Sequence, residues 1–239
     1  MPAAVSDSSA TARRVRADPA IFARFPDARI AVVYGFGLAN GPSDEASDAR
    51  LRAACERAAQ MAGSQKPQTL PHLQAWRGVY QSFGAKPSKY LCSAEALIQR
   101  ALKEAPPRIN RLVDFYNAVS IANILPIGGE DLDCLAGDLM LQFADGTQTF
   151  DISDSGGAEP AIVPAGEVVW ADAAGVTCRR WNWRQGRRTR LTEKSRNAYF
   201  ILEALCPPFL EGDFDRAVQE IAGGLASFGT ARIVIDRLR

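Results

Sequence analysis

The strongest constraint on this chain is a change in the period of its apolar residues at Gly128. Upstream, Leu73, Trp76, Val79 and Tyr80 recur at helical spacing, as do Ile109, Leu112, Val113, Tyr116 and Ile124 within RINRLVDFYNAVSIANIL. Side chains three and four residues apart share a helix face, so each set predicts an amphipathic helix. Downstream come the short runs DLMLQF, QTFDI, GEVVWAD and VTCRRWNW, separated by DG, SGG and AAG. Short apolar runs between turn formers predict strands. Ser43 is placed to cap a further helix with Asp44 and Glu45 in its first turn, and Ser93 opens another that stops before Pro106 and Pro107. RIAVVY at 29–34, closed by Gly35 and Gly37, and RIVI near the end predict strands, while residues 196–205 and 213–228 predict helices. This order of runs gives an α+β domain with an antiparallel or mixed sheet flanked by helices. With no internal repeat or low-complexity linker, residues 20–239 are expected as a single domain behind a flexible N-terminal tail at 1–19.

Composition narrows the function classes. At 239 residues and 47% hydrophobic content the chain can bury a substantial core. Its formal net charge of +1 provides no overall attraction for nucleic acid. DNA is therefore not an expected partner, and any RNA contact must come from local clusters of the 28 basic residues. The five cysteines, Cys55, Cys92, Cys134, Cys178 and Cys206, include no CxxC pair, and His72 is the single histidine. A zinc site needs about four ligands at close spacing, so neither a metal nor a cofactor is expected. Sparse, odd-numbered cysteines point to reduced thiols and a cytoplasmic protein. No run reaches the roughly 18 apolar residues of a membrane span. No GxSxG elbow occurs, and one histidine leaves little from which to assemble a serine or cysteine triad.

The stretch DFYNAVSIANILPIGGEDLDCLAGDL at 114–139, read with CRRWNWRQ at 178–185, resembles the B3/B4 domain of the phenylalanyl-tRNA synthetase beta subunit. LPIGGEDLDCL is similar to the synthetase run QPLHAFDLDKL, keeping its proline and two aspartates in register. VDFYNAVS is similar to VDITNYVM and brings Asn117 into line with its asparagine, and GEVVWAD looks like a synthetase strand reading roughly LVIAD. WRGVYQSFGAKPSKYLCSAEALIQRAL, residues 76–102, looks like the free-standing members of the family. In the synthetase that domain hydrolyses wrongly attached amino acids from tRNA. The resemblance therefore implies a B3/B4-like fold and a free-standing deacylase acting on mischarged aminoacyl-tRNA, expected as a monomer. One departure bears on mechanism: the histidine that lines the synthetase pocket is replaced here by Gly128.

An aminoacyl ester is already activated, so hydrolysis needs a positioned water, donors for the oxyanion and an anchored terminal adenosine. Glu167, Asn117 and Asp131 are the candidate catalytic groups, with Glu167 or Asp131 recognising the amino group or ordering the water. The terminal ribose hydroxyl is an alternative source of assistance. Gly128, Gly129, Asp133, Asp138, Trp181, Asn182 and Trp183 are candidate substrate-binding residues. Each has a structural role open beside the functional one: Asp131 and Asp133 as turn caps, Asn117 as a satisfied amide, the tryptophans as core. In CRRWNWRQGRRTR, strand alternation would put Trp181 and Trp183 on one side and Arg180, Asn182 and Arg184 on the other. Arg180, Arg184, Arg187 and Arg188, extended by Arg77, Lys86 and Lys89, are candidate tRNA contacts. Two other readings stay open: a non-catalytic RNA- or ligand-binding module, and a hydrolase of small esters or amides.

Overall fold

The computed structural model describes residues 15–104, 106–151 and 161–239. In chain order the helices and strands are β1 (Val15–Ala17), α1 (Pro19–Arg24), β2 (Ala28–Phe36), α2 (Glu45–Ala62), α3 (Pro71–Ser82), α4 (Ser93–Ala101) and α5 (Arg111–Asn123). Then follow β3 (Ile127–Asp131), β4 (Leu139–Phe143), β5 (Thr149–Phe150), β6 (Ala161–Ile162), β7 (Val168–Asp172), β8 (Gly175–Arg179) and β9 (Arg184–Gln185). The chain closes with β10 (Asn197–Leu205), α6 (Glu211–Leu225) and β11 (Arg232–Leu238).

Two sheets carry the α+β architecture. One has the order β11-β2-β10-β3 and is antiparallel throughout. The other, β1-β4-β7-β8-β9, is mixed, because β1 runs parallel to β4 while its other pairs are antiparallel. Strand β10, paired with β2 and β3 in the first sheet, is covered on both faces. Its Ala198, Phe200, Leu202 and Ala204 pack with α5 and α6 residues such as Val119, Phe214, Val218 and Ile221. Its Tyr199, Ile201 and Leu205 face the other way, towards Leu139, Leu141 and Trp170 of the second sheet and Trp76 and Ile98 of α3 and α4.

That double burial explains the main departure from expectation: within residues 196–205, expected as a helix, Asn197–Leu205 form β10. A strand covered on both faces shows no polar–apolar alternation, and NAYFILEAL carries two Ala, two Leu and a Glu, which favour helices in isolation. Pairing with β2 along the whole strand overrides that preference. Three smaller differences have equally local causes. Asp44, not Ser43, caps α2, accepting from Ser47 N at 2.8 Å in a capping box, while the Ser43 hydroxyl donates to Asp114. Val15–Ala17, within the expected tail, pair with β4, and residues 1–14 lie outside the described residues. The SGG turn likewise falls outside them, at 155–157. Finally, β8 ends at Arg179, because Arg180 and Trp181 adopt φ of 46° and 66°. This left-handed turn cancels the alternation, burying Arg180, Trp181 and Asn182 together.

Gly129 of β3 lies tight against side chains of β10 and α5. A Cβ there would lie 2.8 Å from the Phe200 ring and 2.9 Å from Tyr116. Both rings are buried in the α5–α6 layer and have little room to retreat. Gly129→Ala is expected to lower unfolding stability by about 1–3 kcal/mol, read as a reduced urea midpoint at unchanged m-value.

Candidate functional site

The register of β3 against β10 sets the floor of a cavity. Tyr199 lies opposite Glu130 and Ile201 opposite Gly128, so these side chains, with Glu203 two positions on, share one face of the sheet. Over that face a cavity of about 250 Å³ opens, closed by α4, α5 and the turn between β8 and β9. Trp170, Trp181, Trp183 and Tyr116 make its aromatic walls. Ser93, Asn117, Asn182 and Gln185 add polar groups, and Glu130 and Glu203 add carboxyls.

Glu203 is 3% exposed, and its neighbours are neutral donors. Oε1 accepts from Trp170 Nε1 at 3.0 Å and Trp181 Nε1 at 2.9 Å, and Oε2 accepts from Asn182 Nδ2 at 2.8 Å. Asn182 is held in turn by the Tyr80 hydroxyl, which donates to its Oδ1 at 2.8 Å. Desolvation pushes the Glu203 pKa up to about 7, with the three N–H donors pulling it back.

Glu130 is equally buried and accepts from the Tyr199 hydroxyl at Oε2. Its Oε1 has no hydrogen-bond partner, and neither do the buried hydroxyls of Thr177 and Thr189. Those two threonines lie close enough to moderate the acid but not in bonding geometry, and desolvation dominates, again raising the pKa to about 7.

The sequence candidates divide between the cavity and the scaffold. Asn117, Gly128, Trp181, Asn182, Trp183 and Arg184 are brought to the cavity wall. The side chain of Asn117, half-buried on α5, makes no hydrogen bond among the described residues. Gly129 contributes its carbonyl, which accepts from Gln185 Nε2 at 3.1 Å. A side chain at Gly128 would start 3.3 Å from the same Gln185 nitrogen, so Gln185 now fills the space beside position 128. Glu167 is not among the wall residues: it is buried against Arg179, with contacts of 2.8 and 2.7 Å, and accepts from Arg180 N at 3.1 Å. Asp131 caps a short 3-10 turn through Asp133 N and accepts from Ser195, Asp133 accepts from Asn197, and Asp138 pairs with Arg16.

The basic candidates divide in the same way. Arg77 is tied to Glu95 of α4, Arg188 to Asp172, and Arg180 is buried beneath Tyr90 and Trp183. Arg184, Arg187, Lys86 and Lys89 are exposed. Sequence reasoning missed Glu130, Glu203, Tyr199, Ser93 and Gln185. The available signal was a glutamate inside the apolar run YFILEAL, which matters only once that run is a strand.

Among the described residues, no group of three His, Cys, Asp or Glu side chains could hold a metal ion, and no helix is long and apolar enough to cross a membrane.

The raised acids carry a pH signature. Below their ordinary pKa of 4.5 each is neutral folded or unfolded; between 4.5 and about 7 the folded state keeps protons that the unfolded chain releases. Their contribution to stability is therefore lost as pH rises through that window and is flat above it. Buried His72, lowered to about 4 by desolvation, works in the opposite sense between about 4 and its ordinary 6.5. A difference measurement isolates the acids. The stability of Glu203→Gln relative to the unsubstituted protein is expected to rise between about pH 4.5 and 7, read from urea midpoints at each pH.

Comparison with known proteins places this architecture. Residues 75–211 match the model of the B3/4 domain. No curated protein matches the chain. Among solved structures, an N-terminal fragment of the phenylalanyl-tRNA synthetase beta-subunit from Pyrococcus horikoshii matches with a TM-score of 0.44 and 13% identity over 94% of this chain. The chain spans 53% of that fragment. With more than half of its length matched by the family model, the chain belongs to the B3/4 domain family.

Proposed function

We propose that this protein is an aminoacyl-tRNA deacylase that acts in trans, hydrolysing the ester of mischarged tRNA. The observation that carries the reading is the cavity itself: an amino-acid-sized space, walled by aromatic rings, that presents an uncommitted amide, Asn117, at its edge. In the reaction a water oxygen attacks the ester carbonyl carbon and the oxyanion accepts a hydrogen bond from Asn117 Nδ2. The carbonyl then reforms, the bond to the ribose oxygen breaks, and that oxygen takes the proton released by the water. Free amino acid and uncharged tRNA leave. The protein contributes placement and donors rather than a nucleophile.

The acceptor end approaches over the β8–β9 rim. Arg184 stands at the cavity, and Trp183 meets Tyr90 edge-on at 4.9 Å. Lys89 lies over the Tyr90 ring at 5.4 Å, so a basic and aromatic path leads outward from the site. Arg77 and Arg180 support this surface from beneath.

A second reading, hydrolysis of a small ester without RNA, is favoured by one observation: Arg77, Arg179 and Arg188 are all committed to carboxylates. A panel of correctly and incorrectly charged tRNAs, with matched small aminoacyl esters, separates the alternatives. Selective release of a noncognate amino acid supports the deacylase. Turnover of small esters without RNA binding selects the second reading, and RNA binding without turnover selects a binding module. Asn117→Ala is expected to lower kcat by about 100-fold. Arg184→Ala and Lys89→Ala together are expected to weaken tRNA binding and flatten its salt dependence, measured by filter binding across a salt series.

A further inference from the structure

We propose that this protein pairs with a second copy of itself through strand β11, edge to edge and antiparallel about Val234, so that two four-stranded sheets join into one of eight strands. The inference concerns a surface away from the cavity and stands whether or not the protein is a deacylase.

The sheet β11-β2-β10-β3 ends at β11, and among the described residues no strand pairs with its outer edge. Ala231 N donates to Phe36 O at 2.9 Å, so Phe36 turns its backbone groups towards β11. In an antiparallel ladder the bonded side alternates from residue to residue. Tyr34, Val32 and Ile30 therefore bond to their register partners Val234, Asp236 and Leu238, and the N–H and C=O groups of Ile233, Ile235 and Arg237 point outward. Apolar side chains stand at the same edge: Val234 is 39% and Ile235 37% exposed. Such an edge, seven residues long and without proline, is a template for another strand.

Charge complementarity identifies the occupant. Charges on an edge strand ordinarily repel an incoming strand, but those of β11 complement themselves. With Val234 opposite Val234 of the second copy, Arg232 falls opposite Asp236, Ile233 opposite Ile235, and Arg237 opposite Ala231. The isoleucines, whose backbone groups point outward, then form the hydrogen-bonded pairs. The Val–Val and Arg–Asp pairs fall at the intervening positions, where opposed side chains come closest, with about 4.5 Å between Cα atoms. Asp236 is exposed and has no ion-pair partner in its own chain among the described residues. Arg232 lies over the Phe36 ring at 4.3 Å, which keeps its guanidinium on the Asp236 face of the strand. Arg237 keeps its bond to Asp215 and meets only the methyl of Ala231. A register placing Ile235 opposite itself would set Asp236 against Val234 and Arg232 against Leu238, so charge pairing favours the first.

The pairing has a defined geometry. Residues opposite one another across a sheet share a face, and Val234 stands in one row with Tyr34, Tyr199 and Glu130. That face floors the cavity. The two-fold axis runs through Val234 perpendicular to the sheet, so the interface uses the same patch on both copies and both cavities lie on one side of the joined sheet. Strands β11 and β3 are at opposite ends of the sheet, so the contact is remote from either cavity. Seven strand spacings of about 4.8 Å, shortened by sheet twist, set the two β3 strands roughly 30 Å apart.

The test is sedimentation velocity of the full-length protein, with neither RNA nor ester present, from about 1 to about 100 µM. The mass is expected to rise across that range from 25.9 kDa towards twice that value. Val234→Lys sets two ammonium groups at the axis and is expected to raise the dimer dissociation constant about tenfold or more. Charge exchange tests the register. Arg232→Asp and Asp236→Arg each oppose like charges across the axis and are each expected to self-associate about tenfold more weakly. An equimolar mixture of the two is expected to regain the dimer, because every charge at 232 and 236 then faces its opposite. Recovery in the mixture requires both variants to be folded, so misfolding cannot imitate it. A constant 25.9 kDa across the range would overturn the proposal and leave the edge to a strand of another protein. A dimer indifferent to Val234→Lys, or a mixture no tighter than its components, would overturn it equally.

Discussion

The organisation of this molecule depends on one buried carboxyl. Glu203 projects from the central strand and accepts from Trp170 on β7 and from Trp181 and Asn182 in the turn after β8, while Asn182 is gripped by Tyr80 of α3. A single side chain thus joins the antiparallel sheet, the mixed sheet and the helical layer. Hydrogen bonds to a charged group contribute about 1.5–3 kcal/mol each, against a desolvation cost of several kcal/mol. Burial and the three N–H donors therefore act on the acid in opposite directions, with burial the larger. Apolar packing around it supplies the bulk of the stability. The carboxyl fixes how the layers meet.

Much of the fold could be read from residue spacing, and where it could not, both faces of an element were covered or the backbone turned unexpectedly. The stripes through Trp76 and Tyr116 identified α3 and α5 by their helical spacing, although α5 is buried on nearly every side and contributes to both core clusters. The runs at 139–143 and 168–172 identified β4 and β7 because turn formers bracket them. Strand β10 was opaque, since a doubly buried strand and a buried helix share the same composition. The site was legible in proportion. Asn117, Gly128 and the tryptophan cluster could be found because the family pattern runs through them. Glu130 and Glu203 could not, because a glutamate reads as a surface residue until its strand is known to be interior.

The change at position 128 has been absorbed locally. The resemblance places a histidine where this chain carries Gly128, and here the Gln185 amide approaches from β9 and bonds to the neighbouring Gly129 carbonyl. A neutral amide thus stands beside position 128, and an ionisable group occupies the same strand face two residues on, at Glu130.

Glu167 illustrates how scaffold and site are linked without contact. Arg180 and Trp181 occupy left-handed backbone conformations, each costing about 1–3 kcal/mol for residues other than glycine. Glu167 holds that turn through Arg179 and through the Arg180 amide, and Trp181 at its end forms both cavity wall and Glu203 partner. Strain stored in two backbone residues is thus restrained by an ion pair on the far side of the turn. In a mutational scan read by activity alone, Glu167 would score like a residue that touches substrate; only its simultaneous effect on thermal stability would reveal it as the clamp that keeps a wall upright.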